Sequence, residues 1–183
     1  PIILGHVLLG APAAWAFAKF HFRGKKILYT LYIVLMLMPF QVTMVSSYLV
    51  LNKLGLIDTV WAVILPGAAS TLPVFIMTRF FMDIPAAVME AAAVDGASSF
   101  QTFLRFGLPL GAPGILSAVV LGFLEYWNAI EAPQAFLKNQ ALWPLSLYMS
   151  NITADNAGVS LIASLITLMP PLLIFLSGQK YLE

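Results

Sequence analysis

Five stretches of this chain are each about as long as a lipid bilayer is thick and nearly free of charge. They cover residues 2–20, 27–51, 60–82, 108–130 and 159–178. A helix rising about 1.5 Å per residue needs about 20 mostly apolar residues to cross the hydrocarbon core. Such runs are too long for strands, and lipid-facing strands would alternate in polarity. The expected fold class is all-α, a polytopic membrane helical bundle with five spans. Composition agrees: 61% of the residues are hydrophobic and 9% charged, where soluble domains carry about 25% charged residues. The net charge is +1, and no Lys/Arg-dense run exists to track a phosphate backbone, so nucleic acid is not an expected partner. With no cysteine in the chain, disulfides, Cys-ligated zinc and iron–sulfur clusters are excluded.

Proline recurs in or beside the spans, as Pro12, Pro39, Pro66, Pro73, Pro113, Pro170 and Pro171. An interior proline costs a helix in water about 3 kcal/mol. In a membrane bundle, neighbouring groups satisfy the carbonyls it frees. The connections alternate in charge. Lys19, Arg23, Lys25 and Lys26 gather at the first, Arg79 and Arg105 lie at the third, and Lys180 follows the last span. The other two connections carry one base each, Lys53 and Lys138. Basic loops remain on the cytoplasmic side. Pro1 is therefore expected outside, and Glu183 and the connection 82–107 inside.

That connection reads as helix, turn, helix. Asp83 is placed to cap the first helix, with Pro85 in its opening turn. Residues 86–94 are mostly strong helix formers. Gly96 suits the left-handed end of a helix, Ser98 or Ser99 caps the next, and Pro109 stands where the fourth span begins. Small residues at Ala91, Ala92 and Gly96 permit close approach by another protein. Glu90 and Asp95 offer charge to basic groups on it, and Arg79 and Arg105 are placed to brace the loop.

Glu90-Ala91-Ala92, three residues, Gly96, nine residues and Phe106-Gly107-Leu108-Pro109 together resemble the EAA loop of binding-protein-dependent ABC import permeases. That pattern ends Ile-x-Leu-Pro, and Phe106 is the one departure. Flanking segments resemble the carbohydrate-uptake branch, which includes the maltose permease subunits. They are the run from Ala14-Trp15 to Gly24, Leu56-Ile57-Asp58-Thr59, Phe123-Leu124-Glu125-Tyr126-Trp127-Asn128, and Met169-Pro170-Pro171 with Phe175 and Gln179-Lys180-Tyr181. The resemblance implies a type I ABC importer permease fold of six helices, the first preceding Pro1, so the chain is expected to be truncated at its N-terminus. Residues 1–183 would form one transmembrane permease domain, with 83–108 its cytoplasmic coupling loop.

The resemblance further implies movement of a carbohydrate or similar small polar solute into the cytoplasm by alternating access, across a bacterial or archaeal cytoplasmic membrane. It implies an ABC ATPase dimer, a second permease subunit (the same or different), an extracytoplasmic solute-binding protein and membrane lipid as partners. Glu90, Ala91, Ala92, Asp95, Gly96, Phe106, Leu108 and Pro109 would meet the ATPase. No cofactor is expected on this chain, ATP and magnesium being held by the ATPase. The residues agree, for the Gly24-Lys25 pair is followed by Lys26 and no P-loop exists. No covalent chemistry is expected.

Glu125 falls inside the fourth span, where an acid is costly and faces a cavity or a partner. With Tyr126, Trp127 and Asn128 it either lines a sugar path or pairs with another subunit. Glu125 and Asn128, three residues apart, are expected to share a helix face. Glu131, Asp155 and Asn156 are placed to meet a binding protein or are merely solvated. Asn151-Ile152-Thr153 matches a glycosylation pattern by letters alone. His6 and His21 do not form a metal pair by spacing, and His21 reads as an interfacial residue. Two other readings stay open: an ion-coupled secondary transporter with Glu125 as proton site, and a membrane scaffold without a solute path.

Overall fold

The computed structural model describes residues 1–151 and 157–181. The expectations for Thr153, Asp155, Asn156 and Glu183 lie outside the described residues. All regular structure within them is helical.

Helix α1, Ile2–Lys19, is the first span. It widens into a π turn at His6–Gly10, just ahead of Pro12. Proline cannot donate to the carbonyl four residues back and crowds it. The wider turn moves the Leu8 carbonyl away. The same solution recurs at Phe103–Gly107, just ahead of Pro109.

The second expected span is not one rod. Helices α2, Lys25–Leu37, and α3, Phe40–Lys53, meet at 106°. A residue before proline avoids the helical region, and Met38, before Pro39, is extended at φ −74°, ψ 125°. The third span is Trp61–Asp83, built of α4, Trp61–Ala68, and α5, Thr71–Asp83, with an irregular step at Ala69 and Ser70. Helix α6, Ala86–Val94, and α7, Ser99–Leu110, form the long connection. Helix α8, Ala112–Trp127, is bent 69° from α7 at Gly111. It ends three residues before the expected limit of the fourth span. Two short helices follow, α9, Glu131–Phe136, and α10, Leu145–Ser150. The last is α11, Ala157–Gly178. Among the described residues, three helical runs are long and apolar enough to cross a membrane, or up to five if each bent pair is one span.

Small residues set the packing, as expected where lipid supplies no hydrophobic drive between helices. A methyl group on Gly111 would strike Phe81, one on Gly114 Phe80, and one on Gly178 Val120. The main core joins α1, α5 and the α6–α7 segment through Ala14, Trp15, Met77, Phe81 and Phe103. Trp15 meets Phe81 edge-on at 5.3 Å. A second core at the other end joins Leu51, Ala62 and Phe136, with Phe40 edge-on to Phe136 at 5.9 Å. Apolar side chains of α2, α3 and α11, such as Leu31, Val45 and Leu165, remain exposed, as lipid-facing or partner-facing surface must be.

The two ends of the bundle separate as the charge pattern requires. Lys19 Nζ donates to the Ile84 carbonyl at 2.6 Å, joining the first and third connections. At the opposite end, the Asp58 carboxylate accepts from the backbone N–H groups of Lys138 and Asn139, each at 2.8 Å.

Candidate functional site

The connection between the third and fourth spans builds a presented helix pair. Asp83 does not cap it. Asp83 ends α5, Ile84 turns extended, and Pro85 precedes α6 with no side-chain cap. Pro85 holds the extended approach itself, and having no N–H it needs no partner there. Val88, Met89 and Ala92 face the core on one stripe of α6, which leaves Glu90 and Ala91 exposed.

Gly96 ends α6 at φ +77°. The Ala97 N–H reaches the Ala92 carbonyl at 2.9 Å and the Gly96 N–H the Ala93 carbonyl at 3.0 Å. This is the Schellman closure of a helix end. A side chain at Gly96 would meet nothing within 4 Å, so the demand for glycine within this chain is conformational. Ser98 is the cap of the next helix. It forms a capping box with Gln101, the Ser98 N–H on Gln101 Oε1 at 2.8 Å and the Gln101 N–H on Ser98 Oγ at 3.3 Å.

Around this turn, Val94 is 87% exposed and Phe100 67%. Asp95 and Gly96 stand beside them, also exposed. Ala92 is buried, Leu108 half-buried and Pro109 exposed, and Phe106 is 38% exposed. Glu90, Ala91, Asp95 and Gly96 are thus exposed on this presented segment, whereas Ala92, expected to meet the partner, packs into the core instead. Phe106, Leu108 and Pro109 lie on the return towards α8. Val94 and Phe100 were not singled out from sequence. Apolar residues flanking a turn glycine in a polar connection were the available signal.

The polar run at the end of α8 divides. Glu125 and Tyr126 line a cavity of about 520 Å³ together with Phe40, Pro66, Ser70 and Phe136. The cavity lies between the α2–α3 elbow, the end of α4 with the step at Ala69 and Ser70, and the end of α8. Trp127 turns away. Its ring stacks on Phe123 at 5.3 Å, and its Nε1–H donates to the Thr167 carbonyl on α11 at 3.1 Å. Asn128 lies past the last helical residue and donates to the Leu124 carbonyl at 2.8 Å. It borders, together with Glu125, an adjoining hollow of about 430 Å³.

His6, read from sequence only as not pairing with His21, is buried behind the cavity. Its Nε2–H donates to the Gly67 carbonyl at 2.8 Å, and its ring sits 5.5 Å from that of Tyr126. Gly122 lies flat against Nδ1, where a methyl carbon would stand 2.8 Å away. His21 is exposed beside the basic connection.

Residues 6–183 match the family described as binding-protein-dependent transport system inner membrane component. The chain is 26% identical to the arabinooligosaccharides transport system permease protein AraQ of Halalkalibacterium halodurans, over 98% of this chain and 66% of that protein. It is 30% identical to the diacetylchitobiose uptake system permease protein NgcG of Streptomyces coelicolor, over 95% of this chain and 60% of that protein. The chain thus spans about two thirds of the length of such relatives. Its fold matches that in the crystal structure of a bacterial ABC transporter involved in the import of the acidic polysaccharide alginate, at a TM-score of 0.82 and 22% identity, over 98% of this chain and 70% of the other. A helical bundle with five apolar runs, and a family model matched from His6 to the last residue, lead to one conclusion: this chain is a multi-pass membrane protein that belongs to the family of binding-protein-dependent transport system inner membrane components.

Proposed function

We propose that the protein containing this chain is the permease subunit of an ATP-driven importer that carries a carbohydrate into the cytoplasm. The observation that carries this reading is the presented turn at Gly96. Among the described residues no atom stands within 4 Å of where a side chain on Gly96 would begin, and Val94 and Phe100 expose apolar surface beside two acids. Such a tip fits a cleft on a cytoplasmic ATPase, where apolar contact anchors and Glu90 and Asp95 meet basic groups. ATP and magnesium belong on that ATPase, and this chain performs no covalent step. Closure of an ATPase pair would carry the loops with it and exchange an inward for an outward opening, a rigid-body switch between two states.

The carbohydrate assignment draws on relatives named as permeases of arabinooligosaccharides transport and diacetylchitobiose uptake systems. A wall of Tyr126, Phe40 and Glu125 also suits a sugar, which offers faces to aromatic rings and hydroxyls to an acid. A secondary transporter and a scaffold leave the exposed turn without a role. The test is purification of the whole transporter with its native partners, followed by ATPase assays with a saccharide panel. ATPase activity stimulated by a saccharide with its binding protein supports the reading. Uptake that needs an ion gradient and no ATPase overturns it.

A further inference from the structure

The wall of the cavity is informative beyond its size. Three adjoining hollows, of about 520, 430 and 240 Å³, share lining residues. Phe40 lines all three, Glu125 and Tyr126 join the first to the second, and Glu131 joins the second to the third. They adjoin along a groove running from Pro66 and Gly67 on α4, past the end of α8, to a rim between α3 and α9. Among the described residues its ionisable lining is Glu125, Glu131 and Tyr126, and no Lys, Arg or His of them lines any of the three hollows. Lys53 and Lys138 lie at the same end without reaching the groove, and His6 is turned to Gly67 behind Tyr126. Gln41 Nε2–H donates to Glu131 at 2.7 Å and fixes it at the rim.

Glu125 and Glu131 are both exposed in this chain beside a mostly apolar wall. A like charge brought within about 4 Å of either is disfavoured about fivefold in water, and more strongly wherever water is displaced. Sugar hydroxyls, by contrast, donate to a carboxylate in charge-assisted hydrogen bonds, and an ammonium group does so with its own charge added. Discrimination of this kind needs only a mismatch against the excluded solute. A protein of the same fold takes an acidic polysaccharide, so the fold leaves the sign of the solute open and the side chains decide it.

We propose that this acid-only groove selects against negative charge, with Glu125 and Glu131 as specificity-determining residues: neutral and amino-bearing saccharides pass, and uronate-bearing ones are held back. The inference rests on the importer reading and adds the class of solute to it.

The test uses proteoliposomes carrying the whole transporter and its binding protein. ATP-driven uptake is measured for a panel of neutral oligosaccharides and for oligogalacturonides of matching length. Wild type is compared with Glu125→Gln, Glu125→Asp and Glu131→Gln. The binding protein is the same throughout, and the uronate-to-neutral ratio cancels differences in the amount of assembled complex, so a changed ratio reports on the groove. The ratio is expected to rise about tenfold in Glu125→Gln, the scale of one screened like-charge contact. It should rise less in Glu131→Gln and stay at the wild-type value in Glu125→Asp. An unchanged ratio in both Gln variants, with neutral uptake intact, overturns the charge inference and leaves the importer reading standing. If Glu125→Gln fails to assemble, the ratio in Glu131→Gln decides. ATP-independent uptake of every sugar overturns the importer reading instead.

Discussion

Lys19, at the end of the first span, holds the backbone carbonyl of Ile84, 65 residues away, at 2.6 Å. Ile84 is buried at the entry to the presented helix pair. One ammonium group therefore fixes where that pair leaves the bundle. Replacement by methionine keeps the apolar stem but removes the donor. A hydrogen bond from a charged group is worth about 1.5–3 kcal/mol, and the partial exposure of Lys19 places the expected loss at the lower end of that range. Amide hydrogen exchange in Ala86–Val94 should quicken in Lys19→Met while α8 stays protected. Equal protection in both proteins would show that the core alone holds the loop.

Gly96 separates conformational strain from contact. A non-glycine residue in the left-handed region costs about 1–2 kcal/mol, and here no atom of the chain stands in the way of a side chain. Asn, which tolerates that region, should therefore be accepted in the isolated subunit better than Val. Gly96→Asp is expected to insert normally yet lose ATP-driven uptake, because it adds charge and bulk where the ATPase would dock. Full uptake by Gly96→Asp would rule out docking at this turn.

Gly122 and His6 should behave as one unit. A methyl group on Gly122 would sit 2.8 Å from His6 Nδ1, and His6 is itself held on Gly67. Overpacking of this kind costs about 1–3 kcal/mol. Gly122→Ala is expected to lower the melting temperature in detergent, and adding His6→Ala should remove much of that added penalty. Simple additivity of the two changes would mean that α8 shifts away and the contact is not shared.

Trp127 stands apart from the acids beside it, and Asn128 borders their hollow with its amide tied to the Leu124 carbonyl. Trp127→Phe loses the bond to the Thr167 carbonyl but keeps a ring on Phe123, so about 1 kcal/mol of stability should go with the relative uptake of different sugars unchanged. Asn128→Ala frays the end of α8 and leaves the Glu125 carboxylate in place. Its effect on solute preference should be smaller than that of Glu125→Gln. A larger effect would return Asn128 to direct contact with the solute.

The two-ended charge pattern predicts labelling. Single cysteines at Lys25 and Ser98 should react from the cytoplasmic face and one at Lys138 from the other. The contacts of Lys19 with Ile84 and of Asp58 with Lys138 pair the first connection with the third and the second with the fourth, in keeping with that division. Labelling of all three from one side would break the five-span arrangement.

Features set by neighbouring residues were legible in the sequence. Gly96 and Ser98 do what their residue types do at helix ends, and the apolar runs became helices. The elbow at Met38-Pro39 was missed because a hydropathy window counts side chains and not backbone angles. Its signal, a proline after an extended-prone residue, was nonetheless present. Asp83 was misread because a cap residue also serves as the last residue of a preceding helix. The roles of His6 and Lys19 were not legible at all. Their acceptors are carbonyls 61 and 65 residues distant, and every residue but the chain end has a carbonyl to offer. Glu125 and Tyr126 turned to the cavity while Trp127 turned to α11, a division fixed by where α11 packs.

The bend at Gly111 has a mechanical meaning. Helix α7 has about 12 residues and so reaches roughly 18 Å from that bend, with the presented turn at its far end. The Phe81 ring packs against the bend where Gly111 lacks a side chain. The corner is wedged and does not act as a free joint. A force applied at the turn is therefore not spent in flexing the corner. It arrives at α8 as torque, and α8 carries Glu125 at its other end.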